Sequence, residues 1–176
     1  VSIFSFAQTS AEGYFDRGNS KYDLQDYRGA IQDYSKAIEL DPSFASAYYN
    51  RGVAKRKLQD YRGAIQDFSK AIELDPSFAS AYYNRGSCKS GLQDSRGAIQ
   101  DFSKAIELDP SFVDAYYNRG VTKWALQDNR GAIQDFSKAI ELDPSNAVTY
   151  YNRGNAKREL QDYRGAIQDY SKAIEL

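Results

Sequence analysis

The stretch GAIQDFSKAIELDP, residues 63–76, decides the fold. It sets Ala64, Ile65, Phe68, Ala71 and Ile72 at spacings of one, three and four, which is one apolar stripe of an α-helix. It then stops at Asp75-Pro76-Ser77, because proline restricts the residue before it and donates nothing to a continuing ladder. The same string, with Tyr or Phe in sixth place, begins at Gly29, Gly63, Gly97, Gly131 and Gly165, always 34 residues apart, the last copy ending before the Asp-Pro. The chain is therefore a tandem array of five units: residues 11–44, 45–78, 79–112, 113–146 and 147–176. One unit cannot bury its stripe alone, so stacking must supply the core, and a single repeat domain is predicted over residues 11–176.

Each unit reads as two helices. The leading one is predicted over unit positions 2–14, as in residues 46–58, with Tyr48, Gly52 and Leu58 facing inward. The trailing one is predicted over positions 17–30, as in residues 61–74. Gln59-Asp60 makes the turn between them, and Asp60 is placed to cap the trailing helix. Glycine at position 19, for instance Gly63, is expected to loosen the start of that helix by up to about 1 kcal/mol. At the front, Thr9 and Glu12 have capping-box spacing, which predicts a helix start near Ser10.

Several positions recur in all five units and carry a resemblance. Position 4 is Tyr14, Tyr48, Tyr82, Tyr116 and Tyr150; position 8 is Gly18, Gly52, Gly86, Gly120 and Gly154. Position 20 is always alanine, position 24 is Tyr34, Phe68, Phe102, Phe136 and Tyr170, position 27 is alanine, and Pro42, Pro76, Pro110 and Pro144 close four units. This pattern resembles the tetratricopeptide repeat over nearly the whole chain. The resemblance implies an all-α fold, a right-handed superhelical solenoid of helix-turn-helix units, and a non-enzymatic scaffold that binds protein segments in a concave groove.

Two departures from the family pattern occur together. Position 7, usually leucine, is Arg17, Arg51, Arg85, Arg119 and Arg153, and position 23, usually apolar, is Asp33, Asp67, Asp101, Asp135 and Asp169. Each arginine is expected to bridge the aspartate of its own unit or of a stacked neighbour, since an unpaired charge at such a site costs several kcal/mol.

The units differ mainly in the leading helix, at positions 2, 9, 12 and 13, which share one face with positions 5 and 6. The resemblance implies that this face lines the groove. Position 6 reads Asp16, Asn50, Asn84, Asn118 and Asn152. A side-chain amide offers donors and an acceptor, so one asparagine per unit makes a ladder able to bond a peptide backbone whatever its sequence. Phe15, Tyr49, Tyr83, Tyr117 and Tyr151 at position 5 would add flat apolar contact. Arg56, Trp124 and Arg158 at position 12 are the candidates for side-chain selectivity, because Trp and Arg dominate binding hot spots. The alternative is that these asparagines bond only to their own helices or to water. The family's carboxylate clamp does not fit, since it needs lysine at position 5, where this chain is aromatic.

Composition narrows the chemistry. The chain has no histidine and one cysteine, Cys88. A zinc site of the usual Cys/His type, a Ser-His-Asp triad and a Cys-His dyad are therefore out of reach, and no catalytic residue, metal or cofactor is predicted. Cys88 stands where other units have Ala, Ser or Thr and reads as a packing residue. With 23 basic against 24 acidic groups and a net charge of -1, whole-chain charge points to no nucleic acid. No apolar run reaches the roughly 18 residues a membrane span needs. Residues 1–10 form an N-terminal tail whose apolar opening VSIFSFAQ reads either as a signal-peptide remnant, implying an exported or periplasmic protein, or as a plain tail on a cytoplasmic one. The absence of methionine suggests a mature form or a fragment. Because the units are nearly identical, a bare last unit would complement any exposed first one. A head-to-tail homo-oligomer, with the array as a self-assembling structural element, is the alternative to a peptide-binding scaffold.

Overall fold

Every joint of the 34-residue unit is set by a side chain the repeat carries. A computed structural model describes residues 10–176; the readings made for the tail before Ser10 lie outside them. The ten helices found there are α1 (Ala11–Asp23), α2 (Tyr27–Leu40), α3 (Ala45–Lys57), α4 (Tyr61–Leu74), α5 (Ala79–Gly91), α6 (Ser95–Leu108), α7 (Val113–Ala125), α8 (Asn129–Leu142), α9 (Ala147–Glu159) and α10 (Tyr163–Glu175). They form two compact bodies, one ending at Leu92 with α1–α5 and one, Gln93–Leu176, with α6–α10. Within each body every helix packs on the next in sequence. The described residues thus form an all-α solenoid, helical hairpins in series.

The trailing helix of the second unit occupies the predicted residues, whereas the leading helix starts and stops one residue early. The stop explains a correction: Leu58, expected inside, is 43% exposed. Gln59 takes a left-handed φ of 62°. Its N–H bonds to the Arg56 carbonyl at 2.9 Å and the Asp60 N–H to the Lys55 carbonyl at 3.0 Å, a Schellman closure. Leu58 is left outside the hairpin, and the inward residues of α3 are Ala47, Gly52 and Ala54. Gln25, Gln93, Gln127 and Gln161 share the positive φ. A side chain costs roughly 1–2 kcal/mol in that conformation.

The turn then enters the trailing helix through its cap. Asp60 accepts a hydrogen bond from the Gly63 N–H at 2.9 Å. A Cβ on Gly63 would lie 2.2 Å from Asp60 Oδ2. The glycine expected to weaken this helix therefore makes room for the carboxylate that caps it. At the exit, the Asp75 carboxylate accepts from the Ser77 N–H at 3.0 Å and from its hydroxyl at 2.6 Å. These bonds hold Asp75 below the ordinary carboxylate range. At the front of the array the cap is Ser10, whose Oγ accepts from the Gly13 N–H at 3.0 Å. Glu12 is one place too early in the first turn to complete a capping box.

Hairpins close by small-to-large packing. A Cβ on Gly52 would sit 2.8 Å from the Phe68 ring, so only glycine lets α3 approach α4 this closely. The next leading helix then sets a small residue into the same core: Ala54 meets Ala30 and Tyr34, Cys88 meets Ala64 and Phe68, and Ala156 meets Ala132 and Phe136. Cys88 is the packing residue its position suggested. Burial pushes its thiol up to about 11, which keeps it protonated.

The paired charges form the remaining joint. Arg51 donates to both Asp67 oxygens, from Nε at 2.9 Å and Nη2 at 2.7 Å, and Lys55 meets the same carboxylate at 2.7 Å. Arg51 Nη1 also donates to Ser35 Oγ of the preceding unit at 3.0 Å, and the guanidinium lies over the Tyr48 ring at 5.5 Å. The same joint recurs at Arg119, with Asp135, Lys123 and Ser103, and at Arg153, with Asp169, Lys157 and Ser137. The arginine bridges the aspartate of its own unit and reaches back to the unit before. Asp33, Asp67, Asp135 and Asp169 are buried.

Three outcomes follow from this packing. Asp67→Asn leaves two cations facing a buried neutral group and should lower stability by at least about 2 kcal/mol in urea unfolding. Gln59→Gly should raise it by up to about 1 kcal/mol, since glycine removes the left-handed strain. The third concerns pH. The Arg17 hydrogen bond holds the Asp33 carboxyl below its usual range; at Asp169 burial pushes upward but Arg153 and Lys157 outweigh it. A depressed carboxyl contributes its full stability above the unfolded value of about 3.9 and loses it as pH falls through the folded value. The melting temperature should stay level from pH 7 to about 5 and drop below about 4, with a shallower drop in the Asp33→Asn, Asp169→Asn double variant.

Candidate binding face

Successive leading helices touch one another within each body, α1 with α3, α3 with α5, and α7 with α9, which puts them on its inner side. The side chains singled out at positions 5, 6 and 12 stand on these helices.

In the first body Asn50 Nδ2 donates to Asn19 Oδ1 at 2.8 Å, and the Tyr34 hydroxyl donates to the same oxygen at 2.8 Å. Asn84 Nδ2 donates to the Tyr49 hydroxyl at 3.1 Å and to the Ser80 carbonyl at 2.9 Å. In the second body Asn152 Nδ2 donates to the Tyr117 hydroxyl at 2.9 Å. A pattern results that the sequence did not suggest: the amide at position 6 bonds the hydroxyl at position 5 one unit earlier. Unit 1 has Phe15 there, which has no hydroxyl, and Asn50 turns to Asn19 instead. A second pairing was open to view in the sequence. Tyrosine stands at position 24 only in units 1 and 5, the two units with asparagine at position 9, and Tyr170 bonds Asn155 Oδ1 at 2.9 Å just as Tyr34 bonds Asn19. A buried phenol needs an acceptor, and the amide supplies it.

Between α1 and α3 lies a pocket of about 310 Å³ lined by Asn19, Tyr22, Asp23, Tyr49, Asn50 and Val53. Burial raises Tyr22 and Tyr49 above the ordinary phenol value and pushes Tyr34 up to about 12. All three remain neutral hydrogen-bonding groups near pH 7. The positive charge of Arg56 acts on both Tyr22 and Tyr49, and its Nε is shielded from water with no hydrogen-bond partner among the described residues.

The other candidates are spread along both bodies. Tyr83 and Asn118 are partly buried on α5 and α7, and Asp16 is exposed on α1. Trp124 packs on the core of Ala132, Phe136 and Ala156. Arg158 is exposed and pairs with its neighbour Glu159 at 3.1 Å. Tyr151 is exposed and leans on Tyr170, with ring centroids 5.6 Å apart. Among the described residues no group of three His, Cys, Asp or Glu side chains could hold a metal ion, and no helix is long and apolar enough to cross a membrane.

Helical hairpins in series, with polar and aromatic side chains lining the inner helices, define a protein-interaction scaffold. The tetratricopeptide repeat model matches residues 45–78, 113–146 and 147–176, and a further TPR repeat model matches residues 18–59 and 93–127. The chain belongs to the tetratricopeptide repeat family. Among solved structures it is similar to MamA at 28% identity, covering 96% of this chain and 92% of that one with a TM-score of 0.90. YrrB, described as a TPR protein with an unusual peptide-binding site, is 25% identical over 99% of this chain and 92% of its own, with a TM-score of 0.85. A MamA from Desulfovibrio magneticus RS-1 shares the fold at 21% identity, with 94% of each chain covered and a TM-score of 0.88. A comparison with curated protein sequences gives no match.

Proposed function

We propose that the chain holds an extended or helical segment of a partner protein against the inner side of its leading helices. The asparagines at position 6 meet the segment's backbone and the tyrosines at position 5 cover it with flat apolar surface. The observation that carries this reading is the pocket between α1 and α3, where Tyr49 and Asn50 stand side by side as lining. The similarity to YrrB, with its peptide-binding site, points the same way.

The bonds between units refine what the asparagines contribute. Asn84 Nδ2 spends both its hydrogens, on Tyr49 and on Ser80, so this residue offers a ligand its Oδ1. A ladder of such oxygens accepts N–H groups from a peptide backbone, one bond per unit. Holding the amides in place beforehand lowers the ordering cost of binding. Arg56, Trp124 and Arg158 differ from the other units at position 12 and supply preference for particular side chains. Arg56 suits a carbonyl or carboxylate oxygen, because its Nε is dehydrated and has no partner among the described residues.

A phage-displayed library of random peptides selected on the 176-residue chain tests this. Selected peptides should bind the Asn50→Ala, Asn152→Ala double variant at least 10-fold more weakly, with its melt still cooperative. They should bind a Lys70→Ala, Lys138→Ala control, changed on the trailing helices, with unaltered affinity. Selection without binders, or peptides insensitive to the asparagines, would reject the ladder.

A further inference from the structure

The leading helices of the first body carry unlike charge. On α1, Asp16, Asn19 and Asp23 follow one another at helical spacing and so share one face. Both carboxylates are exposed, and neither has a hydrogen bond or ion pair to another described side chain. On α3 the matching positions are Asn50, Val53 and Lys57, with Arg56 beside them. On α5 they are Asn84, Ser87 and Gly91, with Ser90 beside them and no charge. The sign therefore runs from negative on α1 to positive on α3 to neutral on α5, at the positions where the units differ.

The two signs meet at the pocket between α1 and α3. Asp23 lines it, together with Tyr22, Tyr34 and Tyr49. The charge of Asp23 acts on Tyr22 and Tyr34, which puts the negative pole toward α1 and α2. The charge of Arg56 acts on Tyr22, on Tyr49 and on Cys88 of α5, which puts the positive pole toward α3 and α5. Both charges reach Tyr22, yet Asp23 and Arg56 form no ion pair with each other. Arg51, Arg119 and Arg153 each spend their Nε on a carboxylate. The Nε of Arg56 is shielded from water and has no acceptor among the described residues, and a buried donor left in that state is costly. The pocket thus holds an unanswered carboxylate on one side and an unanswered guanidinium on the other, with phenol rings between them.

We propose that this pocket takes an extended protein segment bearing one basic and one acidic side chain, the basic group paired with Asp23 on α1 and the acidic group with Arg56 on α3. This deepens the peptide-binding reading above and rests on it. Helices in contact lie roughly 10 Å apart. An extended chain advances about 3.3 Å per residue, so the two side chains stand about three positions apart in the segment. Their stems lie along the rings of Tyr22 and Tyr49 while the charged ends reach past them. A segment of the opposite order sets like charge against like at both poles, so the pocket selects direction as well as composition. Asp16 on α1 and Lys57 on α3 carry the same signs as the two poles.

Charge reversal tests the order. Phage-displayed random peptides selected on the 176-residue chain should carry a Lys or Arg and an Asp or Glu about three positions apart, always in one order. Selection on the Asp23→Lys, Arg56→Glu double variant should return the opposite order. Peptides from the first selection should bind the double variant at least about 10-fold more weakly, and exchanging their basic and acidic residues should restore the affinity. Arg62→Glu, the same change of charge on the trailing helix α4, should leave binding unaltered. Should the double variant unfold, Asp23→Asn and Arg56→Gln test the poles singly: the first should relax the choice of a basic residue and the second the choice of an acidic one. Peptides that bind through the asparagines but lack the paired charges, or that show the same order with both proteins, would overturn this inference and leave the groove standing. A selection without binders would overturn both.

Discussion

A buried carboxylate at position 23 is the constraint from which the rest of the structure is arranged. Taking an aspartate out of water is costly unless its charge is answered and its oxygens are hydrogen-bonded. Here both conditions are met by one leading helix: arginine grips the two oxygens from position 7, and lysine closes on one of them from position 11. The bidentate grip fixes distance and rotation between the two helices of a hairpin, because a planar guanidinium and a planar carboxylate meet well in few geometries. The guanidinium has one more nitrogen to spend, and it goes to a serine of the hairpin before. One side chain thus ties together three helices, and the tyrosine ring at position 4 covers its face. A leucine at position 7, usual for the family, would pack but would not set direction.

This joint leaves the inner side of the leading helix free for other uses. With rotation fixed, positions 5 and 6 fall beside the preceding unit, close enough for an amide to reach a tyrosine hydroxyl. The polar residues of this candidate face are therefore already ordered by bonds between units. The amide donors thus help to hold neighbouring units together.

The fold was legible because its signals repeat. Glycine opposite the aromatic at position 24 and aspartate before each trailing helix act locally in all five copies, as does proline after the first four trailing helices, and this recurrence separates them from chance. Two things were misread at the turn. Leu58 looks like a core residue by spacing alone, but Gln59 adopts a left-handed conformation that sequence gives no reason to assign to glutamine. Gly63 looks like a weak helix former until the Asp60 carboxylate is seen to need the space a Cβ would fill. The paired arginines and aspartates were visible as a pair, although not which unit each arginine would reach. On the leading helices the sequence singled out the asparagines as candidates but gave no sign of their tyrosine partners. Those bonds join residues 35 apart in units of 34, a register that emerges only once the hairpins are stacked.

A double-mutant cycle at Arg51 and Ser35 tests most directly whether the arginine joins neighbouring units as well as the two helices of its own. Stability is measured for the parent, Arg51→Met, Ser35→Ala and the double variant. The account predicts a coupling of about 1 kcal/mol or more between these residues of different units, as for a hydrogen bond to a charged donor. Effects that simply add, within about 0.3 kcal/mol, would show that the arginine serves only its own unit.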